Sequence, residues 1–298
     1  MHSTRPALGR RVAAVVLTLL TTVALLGATT GRSAGTSSGT SGGTPAAATR
    51  PTSPDFEIAT FNQLGSQHTR GRGGWGPGRV RAAITAGLVE RKGIDVVGFQ
   101  EVQADQLQVL QRKLDGYAVW PGTALGGGGL RLQIAWKSWM FRLLDHGSIR
   151  TPFDRQVRPV PWVLLEHRAT GRKLYVVDNH NSPRGLESER DAATRKIVRL
   201  VRNLRETGRA VFVVGDMNEH VETFCRIVGA TDLVAPNGGS ASSPGSCSTP
   251  PGRLAIDWIF GAGPMTFSRY GLFEGTSVRL ASDHPLVRAT VTMRPRRR

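Results

Sequence analysis

From residue 55 onward, the chain alternates short apolar runs with longer amphipathic segments and glycine-rich stretches. The short runs are rich in β-branched and aromatic residues and are bounded by turn-forming residues, a pattern typical of β-strands. Seven strands are predicted in this way: Phe56–Phe61, Asp95–Phe99, Leu132–Trp136, Leu174–Val177, Ala210–Val214, Ala255–Phe260 and Leu286–Val291. Strands interspersed with helices over one long segment favour an α/β fold whose sheets are covered by helices. The periodicity does not give the strand order.

Two segments repeat their apolar residues with a period near 3.6 and are predicted to be amphipathic helices. The first covers Arg79–Lys92, and its predicted apolar face contains Val80, Ile84, Leu88 and Val89. The second covers Glu189–Glu206, and its predicted apolar stripe contains Ala193, Ile197, Leu200, Val201 and Leu204. Arginines and glutamates lie opposite that stripe. A solvated surface is the simpler interpretation of this charged face, and contact with nucleic acid is the alternative.

Residues 1–32 have the plan of a secretory signal, with a basic start, an apolar middle and then small polar residues. Arg10 and Arg11 precede an uncharged run from Val12 to Ala28. This run is at the short end for crossing a bilayer, so a signal is favoured and a retained membrane anchor is the alternative. Residues 33–54 are mainly Gly, Ser, Thr, Ala and Pro and are predicted to be a flexible linker. The folded domain is therefore predicted to span residues 55–298 of a secreted or cell-surface protein.

Polar residues stand at the ends of the apolar runs or inside them. Strand ends are where sheet enzymes usually place their chemistry, because side chains there are rigidly held yet reach an open cleft. The positions are Asn62, Gln100-Glu101, His180, Asp216 with Asn218, Asp257, and Asp283-His284. Taken singly, most of them fit ordinary turn or cap residues. Asp257 is the least ordinary, because a carboxylate inside an apolar strand must be paired or functional.

Taken in order, this set resembles the motif series of the endonuclease/exonuclease/phosphatase superfamily, the fold shared with pancreatic-type DNase. The resemblance lies in Thr60-Phe61-Asn62, Gly98-Phe99-Gln100-Glu101, Asn179-His180-Asn181, Gly215-Asp216-Met217-Asn218, Ile256-Asp257-Trp258-Ile259 and Ser282-Asp283-His284. It covers about residues 55 to 293 and implies a four-layer sandwich, in which two face-to-face mixed β-sheets are flanked by helices. It also implies that the motif residues converge at one edge of a divalent-metal-dependent phosphoric ester hydrolase.

Phosphodiester hydrolysis requires neutralisation of charge at the phosphate, an activated water and an acid for the leaving oxygen. Glu101 and Asp283 are hard oxygen ligands of the kind that Mg²⁺ or Mn²⁺ prefers, and Asn62 is a candidate neutral carbonyl ligand. A metal ion bound by these residues would polarise a phosphoryl oxygen. The three residues are therefore the predicted metal ligands.

Five further residues are predicted to act on the substrate. His284 is the candidate general base or phosphate-polarising group, and Asp257 would hold its imidazole in one tautomer. By the resemblance, His180 protonates the leaving group, while Asp216 and Asn218 position the water and the phosphate oxygens. Some relatives place a carboxylate behind the histidine that matches His180, and the sequence does not identify that partner here.

The formal net charge of the chain is +17, from 39 basic and 22 acidic residues. Four arginines and no acid fall within residues 1–32, so the remainder still carries +13. A basic protein attracts polyanions, which favours a nuclease acting on DNA or RNA, although a general arginine enrichment would also raise the charge. The nuclease is expected to act as a monomer. Membrane contact is expected only through a retained N-terminal segment. Arg158 is a candidate phosphate contact, with an ordinary surface arginine as the simpler interpretation.

Two other classes of function stay open, because a fold does not determine a substrate. One is a phosphodiesterase or phosphatase acting on lipid headgroups or small phosphate esters. The low aromatic content of 6% argues against a large lipid-insertion surface. The other is a catalytically silent binding module, and the complete set of metal and histidine candidates argues against it.

The chain contains two cysteines, Cys225 and Cys247. In an exported protein, a single pair that is close in sequence predicts a disulfide, and two unpaired thiols are the alternative.

Overall fold

The computed structural model describes residues 55–69, 74–242 and 245–294. The segments predicted to be a signal or anchor (1–32) and a linker (33–54) lie outside these residues. In the part of the chain that the structure describes, no helix is both long and apolar enough to cross a membrane.

Strands and helices alternate along the described residues. The strands are β1 (Asp55–Asn62), β2 (Val96–Gln100), β3 (Tyr117–Trp120), β4 (Gln133–Lys137), β5 (Phe141–Phe153), β6 (Gln156–His167), β7 (Lys173–His180), β8 (Ala210–Asp216), β9 (Ser240–Ser242), β10 (Ser246–Ser248), β11 (Asp257–Ala262), β12 (Met265–Phe273) and β13 (Leu286–Met293). The helices are α1 (Gly78–Arg91), α2 (Ala104–Lys113), α3 (Gly126–Gly129), α4 (Glu187–Glu206), α5 (Val221–Ala230) and α6 (Thr276–Ala281), and a 3-10 turn covers Ser66–Thr69.

Two mixed sheets form the centre of the domain. The first has the strand order β12-β13-β1-β2-β4-β3, the second has the order β11-β8-β7-β6-β5, and β9 and β10 form a separate hairpin. Side chains of the two sheets share one core, in which Phe56 and Ile134 of the first sheet meet Val176 and Phe212 of the second. The rings of Phe56 and Phe212 pack edge to face with their centroids 5.9 Å apart. The two sheets therefore pack face to face.

Helices cover the outer face of each sheet. Helices α1 and α2 pack on the first sheet through a second core that contains Ala86, Leu110 and Phe99. Helices α4 and α5 cover the second sheet through a third core that contains Ile197 and Phe224. This arrangement is the four-layer sandwich that the family resemblance implied, and it confirms the predicted fold class.

The topology brings the functional strand ends to one edge. Strands β1 and β2 are parallel, so Asn62 pairs with Gln100 at their carboxyl ends. Strands β7 and β8 are also parallel, which sets His180 beside Asp216. Strand β11 runs antiparallel to β8, so its first residue, Asp257, is the partner of Asp216. Strand β13 runs antiparallel to β1, which brings the segment that precedes it to the same edge.

Gly215 allows β7 and β8 to approach closely at this edge. Its φ of 146° lies in a region that residues with side chains rarely adopt. A Cβ atom at this position would lie 1.9 Å from the carbonyl oxygen of Asn179. A glycine is therefore required immediately before Asp216.

The structure contains elements that the sequence pattern did not predict: strands β3, β5, β6, β9, β10 and β12, and helices α2, α3, α5 and α6. The pattern does not predict the long hairpin formed by β5 and β6, because Pro152, Pro159 and Pro161 argue against strands at those positions. In α1, Val80 is exposed although it was placed on the apolar face, and the neighbouring Arg81 is buried instead. The helix itself begins and ends within one residue of the prediction.

Cys225 of α5 and Cys247 of β10 form a disulfide, with their Cα atoms 5.6 Å apart. The predicted pairing is confirmed. A cross-link that closes a loop of this length stabilises a fold by on the order of 3 kcal/mol. The bond joins α5 to the β9–β10 hairpin.

Candidate active site

Asn62 lies at the centre of the edge where the strand ends meet. Its side chain is fully buried. Its Nδ2 donates to Glu101 Oε1 at 3.1 Å and to Asp216 Oδ2 at 3.0 Å, and it lies 3.5 Å from His284 Nε2. Its Oδ1 accepts a hydrogen bond from the backbone N–H of Leu64 at 3.0 Å. The carbonyl oxygen that was predicted to be a metal ligand is thus engaged by the backbone, and Asn62 links carboxylates from both sheets as a donor.

Glu101 follows β2 with a φ of 61°. Its Oε2 accepts from the backbone N–H of Gly65 at 3.1 Å and lies 3.4 Å from His68 Nε2. Burial alone would raise the pKa of this carboxyl group. The charge of His180 and the hydrogen bonds from Gly65 and Asn62 outweigh burial and lower the pKa below its usual value. Glu101 is therefore an ionised carboxylate at neutral pH.

Asp216 is a buried acid between two histidines. Its Oδ2 lies 3.3 Å from His180 Nε2 and 3.7 Å from His284 Nε2. Burial would raise the pKa of Asp216, but the charge of His180, the hydrogen bond with it and the charge of His284 lower that pKa to about 2. The structure therefore supplies a carboxylate partner for His180, which the sequence did not identify. On another side of His180, the ring of Phe153 packs edge-on, with centroids 4.8 Å apart.

Asp257 and His284 form a hydrogen-bonded pair. Nδ1 of His284 lies 3.0 and 3.1 Å from the two carboxylate oxygens of Asp257. Burial raises the pKa of Asp257. Burial would lower the pKa of His284, but the hydrogen bond and charge of Asp257, with the charges of Asp216 and Asp283, raise it well above its usual value. The pKa of His284 is raised further than that of Asp257, so the proton between them resides on His284.

Asn218 joins the turn after β8 to the segment after β7. Its backbone N–H donates to Asp216 Oδ1 at 2.9 Å, and its Nδ2 donates to the carbonyl oxygen of Asn181 at 2.8 Å. Its φ of 51° lies in the left-handed region, which asparagine tolerates better than most residues. In this arrangement Asn218 positions Asp216, and its predicted contact with the substrate stays a prediction.

Asp283 lies at the exposed rim of the edge. Its Oδ1 is 3.4 Å from the hydroxyl of Ser282, which donates to the backbone carbonyl of Asn62 at 2.6 Å. The charges of Asp283 and Glu101 both act on the guanidinium group of Arg81. Both carboxylates that were predicted to be metal ligands therefore act electrostatically on one guanidinium group.

The donor atoms at this edge fit a divalent cation. Asp216, Asp257 and His284 each place one potential ligand atom within 4.8 Å of the others. The hydrogen bonds between Asp257 and His284 compete with coordination in that trio. Glu101 and Asp283 offer carboxylate oxygens, the donors that Mg²⁺ and Mn²⁺ prefer, although both oxygens of Glu101 also accept hydrogen bonds from Asn62 and Gly65.

The sequence analysis missed Arg81, a buried residue of α1 that supports Asn62 and Glu101. Its side chain donates to the backbone carbonyls of Gln63 and Gly65 at 2.8 and 3.1 Å. These bonds hold the loop after β1, whose N–H groups in turn bind the side chains of Asn62 and Glu101. The available signal was an arginine next to the alanines of a helix face, but the backbone carbonyls that it satisfies are not visible in a sequence.

Two arginines lie beside His180 on the second-sheet side of the cleft. A small pocket there is lined by Arg131, Arg158, Phe153, Thr151 and His180. The guanidinium carbon of Arg158 lies 4.1 Å from the centre of the Phe153 ring. Nη1 of Arg131 and Oγ1 of Thr151 are buried without a hydrogen-bond partner among the described residues. Such donors suit an anionic group of a ligand.

A sequence model of the Endonuclease/Exonuclease/phosphatase family matches residues 59–284. This interval contains all eight residues that the sequence analysis selected: Asn62, Glu101, His180, Asp216, Asn218, Asp257, Asp283 and His284. A search of curated proteins found no match.

Solved structures share the fold at low sequence identity. A mannosyl-6-phosphatase from Bacteroides thetaiotaomicron has a TM-score of 0.62 at 18% identity, covering 80% of this chain and 100% of its own. The human Nocturnin catalytic domain with a bound sulfate anion has a TM-score of 0.63 at 19% identity, covering 81% and 95%. TDP2 from D. rerio, complexed with a single strand DNA product, has a TM-score of 0.60 at 18% identity, covering 80% and 99%.

Proposed function

Because the chain belongs to the endonuclease/exonuclease/phosphatase family, whose members are phosphoester hydrolases, we propose that it is an exported nuclease that cleaves DNA or RNA with a divalent metal ion. One observation carries this proposal. Amide, carboxylate and imidazole groups from both sheets meet at one edge within hydrogen-bond distance of each other, and two arginines lie beside them. An anionic phosphodiester is the substrate that such a combination of groups suits best.

Glu101 and Asp283 would hold the metal ion, either Mg²⁺ or Mn²⁺. When bound, such an ion neutralises phosphate charge and polarises a phosphoryl oxygen. Asn62, whose Nδ2 donates to both Glu101 and Asp216, keeps these two carboxylates in place. Its role in the proposal is therefore to orient acids rather than to coordinate.

The remaining side chains orient the phosphate and move protons. His284, protonated and held by Asp257, would donate a hydrogen bond to a non-bridging oxygen of the phosphate. Asp216, which is ionised before the reaction, would orient the attacking water, accept the proton that the water loses, and pass it back to His180. His180, 3.3 Å from Asp216, would give a proton to the leaving oxygen.

A polyanionic substrate is supported by charge. Arg131 and Arg158 line the small pocket beside His180 without an ion pair among the described residues, so they add positive charge next to the phosphate that is cleaved. Without residues 1–32, the chain keeps a net charge of +13. The structural neighbour TDP2 was solved with a single strand DNA product.

A second candidate is a phosphatase or phosphodiesterase for small phosphate esters. The observation that favours it is the structural neighbour with mannosyl-6-phosphatase activity in its name, which covers 80% of this chain. The Arg131 and Arg158 pair would then bind the additional charge of a phosphate monoester. The two candidate functions use the same catalytic edge. They differ in how much of the substrate extends beyond that edge.

The test is hydrolysis by the purified protein with Mg²⁺ or Mn²⁺. Plasmid DNA, RNA, sphingomyelin and bis-(p-nitrophenyl) phosphate serve as substrates, EDTA removes the metal, and Glu101→Gln is the inactive control. We expect rapid cleavage of DNA or RNA that EDTA abolishes. Faster hydrolysis of sphingomyelin or the small diester than of either nucleic acid would favour the second candidate. Full nuclease activity in EDTA would contradict the metal requirement.

Export is the part of the proposal that rests on the Cys225–Cys247 disulfide and on the pattern of residues 1–32. Disulfides persist in oxidising compartments and are rare in a reducing cytosol. Cell fractionation tests it directly. Recovery of the full-length chain from the cytosol, with free thiols, would contradict export.

A further inference from the structure

A basic groove lies on the outer side of the second sheet, between α4, α5 and the β9–β10 hairpin. Its volume is about 860 Å³. The arginines that line it are Arg195, Arg199, Arg202 and Arg226. Asp191 is the one acid among its described lining residues, and it pairs with Arg226. The groove shares no lining residue with the catalytic edge.

The charge of α4 along this groove is predominantly positive. From residue 192 to residue 205 the helix contains five basic residues and no acid. Three of them have partners: Lys196, Arg202 and Arg205. The other two, Arg195 and Arg199, are exposed and have no hydrogen bond or ion pair within the described residues. Two free guanidinium groups thus face the groove one helical turn apart.

This arrangement is unfavourable for the free protein and favourable for an anionic ligand. Like charges at positions i and i+4 of a helix repel each other. Arg226 pairs with an acid and Arg202 donates to the carbonyl at the end of α5, so neither relieves Arg195 or Arg199. The planar guanidinium group binds phosphate through two parallel hydrogen bonds. A ligand with closely spaced phosphates would supply the charge that the groove lacks.

The groove begins next to the residue that holds the catalytic turns. Arg190, which directly precedes Asp191, pairs with Glu219 at 2.8 Å and donates to the carbonyl of Ser182 at 3.2 Å. Arg199 stands nine positions after Arg190, which corresponds to about 14 Å along the helix. Double-stranded DNA carries one charge per about 1.7 Å of its axis. A nucleic acid bound at the catalytic edge therefore offers further phosphates over this distance, whereas a small ester does not.

We propose that this groove is a second binding site for the phosphodiester backbone of the nucleic acid substrate, contacted by Arg195 and Arg199. The proposal rests on the proposed nuclease function and adds a site remote from the reacting atoms. The site binds without regard to base sequence, because guanidinium groups on a helix surface contact phosphates and not base edges. It raises affinity for long chains and leaves the chemical step unchanged.

The test compares two double variants with the same loss of charge. Arg195→Gln/Arg199→Gln removes the free groove arginines. Arg112→Gln/Lys113→Gln removes two exposed basic residues of α2, on the first sheet. Each is made in the full chain, in an active form and in a His284→Ala form that binds without cleaving. The measurements are duplex DNA binding across a salt series, hydrolysis of bis-(p-nitrophenyl) phosphate, and thermal unfolding to verify the fold.

The slope of log K against log[salt] is negative. We expect the groove variant to make it less negative by about 2, at about 0.9 per lost phosphate contact, and the α2 variant to leave it unchanged. Hydrolysis of the small diester should be equal in both. Equal slopes for the two variants would overturn the proposal. It would also be overturned if the groove variant lost binding to phosphatidylserine vesicles but kept the DNA slope. If the parent protein cleaves the small diester but no nucleic acid, the proposed nuclease function is wrong. The comparison of the two salt slopes still tests whether the groove binds the phosphodiester backbone.

Discussion

The protonation state of His284 distinguishes between its two predicted roles. A general base must be neutral to accept a proton, whereas a phosphate-polarising group acts best as a cation. Asp257, Asp216 and Asp283 together raise the pKa of His284 well above its usual value. The structure therefore favours the polarising role, and the orientation of the attacking water falls to the low-pKa carboxylate of Asp216.

We predict that His284→Ala lowers kcat by about 10² to 10⁴, because it removes the donor at the phosphate. Asp257→Asn should show a similar loss, since it removes the charge that keeps the imidazole protonated and oriented. The measurement is kcat on the preferred substrate with thermal unfolding as a check of the fold. His146→Ala, a change in an exposed histidine of β5, is the control. A wild-type rate in either site variant would contradict these assignments.

Asp178 is a second buried acid and lies between the sheets. Gln100 Nε2 donates to its Oδ1 at 2.6 Å, and its Oδ2 has no hydrogen-bond partner among the described residues. Burial raises its pKa well above the usual value, although the hydrogen bond from Gln100 opposes that shift. The folded protein therefore keeps a proton that the unfolded chain releases above about pH 4. Since the folded state binds more protons, stability falls as the pH rises from about 4 toward the folded pKa.

We predict that Asp178→Asn makes the protein more stable at pH 7 and that this gain vanishes near pH 4. Asparagine keeps the oxygen that accepts from Gln100 and has no charge to bury. The gain should grow by about 1.4 kcal/mol per pH unit between the unfolded and folded pKa values. Urea unfolding at pH 4, 5.5 and 7 measures it. Asp115→Asn, a change at an exposed position, is the control, and a stability gain in Asp178→Asn that does not vary with pH would refute the argument.

At the level of single residues, the sequence was most informative where a polar group interrupted an apolar run. Asp257 could be selected because its neighbours are apolar and its charge would otherwise be uncompensated. Arg81 and Arg131 could not, because their importance depends on unpaired atoms and carbonyl groups contributed by distant segments. The orientation of the Asn62 amide could not be predicted either. The sequence does not show whether its NH₂ group faces an acid or its oxygen faces a metal.

At the level of elements, one residue of α4 connects the turns after β7 and β8. Arg190 is buried and donates through Nε to Glu219 Oε1, and through Nη1 to the carbonyl of Ser182. Glu219 in turn accepts from Trp258 of β11 through its backbone carbonyl at 3.0 Å. The helix thus positions the turns that carry His180 and Asp216 without contacting the substrate.

We predict that Arg190→Met destabilises the protein by about 3–5 kcal/mol, because it leaves the buried carboxylate of Glu219 without a partner. The double variant Arg190→Met/Glu219→Gln should recover part of that loss, since the buried charge is gone. Arg253→Met is the matched control. Its pair with Glu274 is exposed and should cost at most about 1 kcal/mol. Urea unfolding measures all three, and equal losses for Arg190→Met and Arg253→Met would contradict the prediction.

The elements that the sequence predicted are those with a clean period. All seven predicted strands and both predicted helices have counterparts in the structure, with small shifts at their ends. The β5–β6 hairpin was missed because its outward face is exposed over much of its length and prolines interrupt its pattern. In an antiparallel sheet, the backbone N–H and C=O of one residue face the same neighbouring strand. Strand β6 can therefore contain Pro159 and Pro161.

At the level of the whole molecule, the active edge requires both sheets. The first sheet contributes Asn62 and Glu101, and the second contributes His180, Asp216 and Asp257. Periodicity alone could not bring these residues together, because it gives neither strand order nor sheet partners. The family resemblance supplied that information, and the structure shares its arrangement. The carboxylates gathered from distant segments repel one another, which makes the edge sensitive to a bound cation.

We predict that Mg²⁺ or Mn²⁺ stabilises the protein and that Glu101→Gln removes most of this effect. A ligand that binds only the folded state adds about 2.7 kcal/mol at a concentration of 100 Kd. For a domain of this size, that corresponds to a rise in Tm of about 5–10 °C. The measurement is thermal unfolding of the wild-type protein and the variant in EDTA and across a metal titration. It reports binding independently of substrate.

The same variant should also behave distinctively without metal. Glu101 accepts hydrogen bonds from Asn62 and Gly65, and these bonds with the charge of His180 lower its pKa in the metal-free protein. The ionised carboxylate therefore stabilises the folded state even without a cation. We therefore expect Glu101→Gln to melt at a lower temperature than the wild-type protein in EDTA, and the difference to widen with saturating metal. Asp115→Asn, which also removes one negative charge but lies at an exposed position in the turn before β3, should follow the wild-type curve in both conditions. An unchanged metal-induced shift in Glu101→Gln would place the cation elsewhere, whereas a loss in EDTA that grows with added metal links the charge of Glu101 both to its hydrogen bonds and to metal binding.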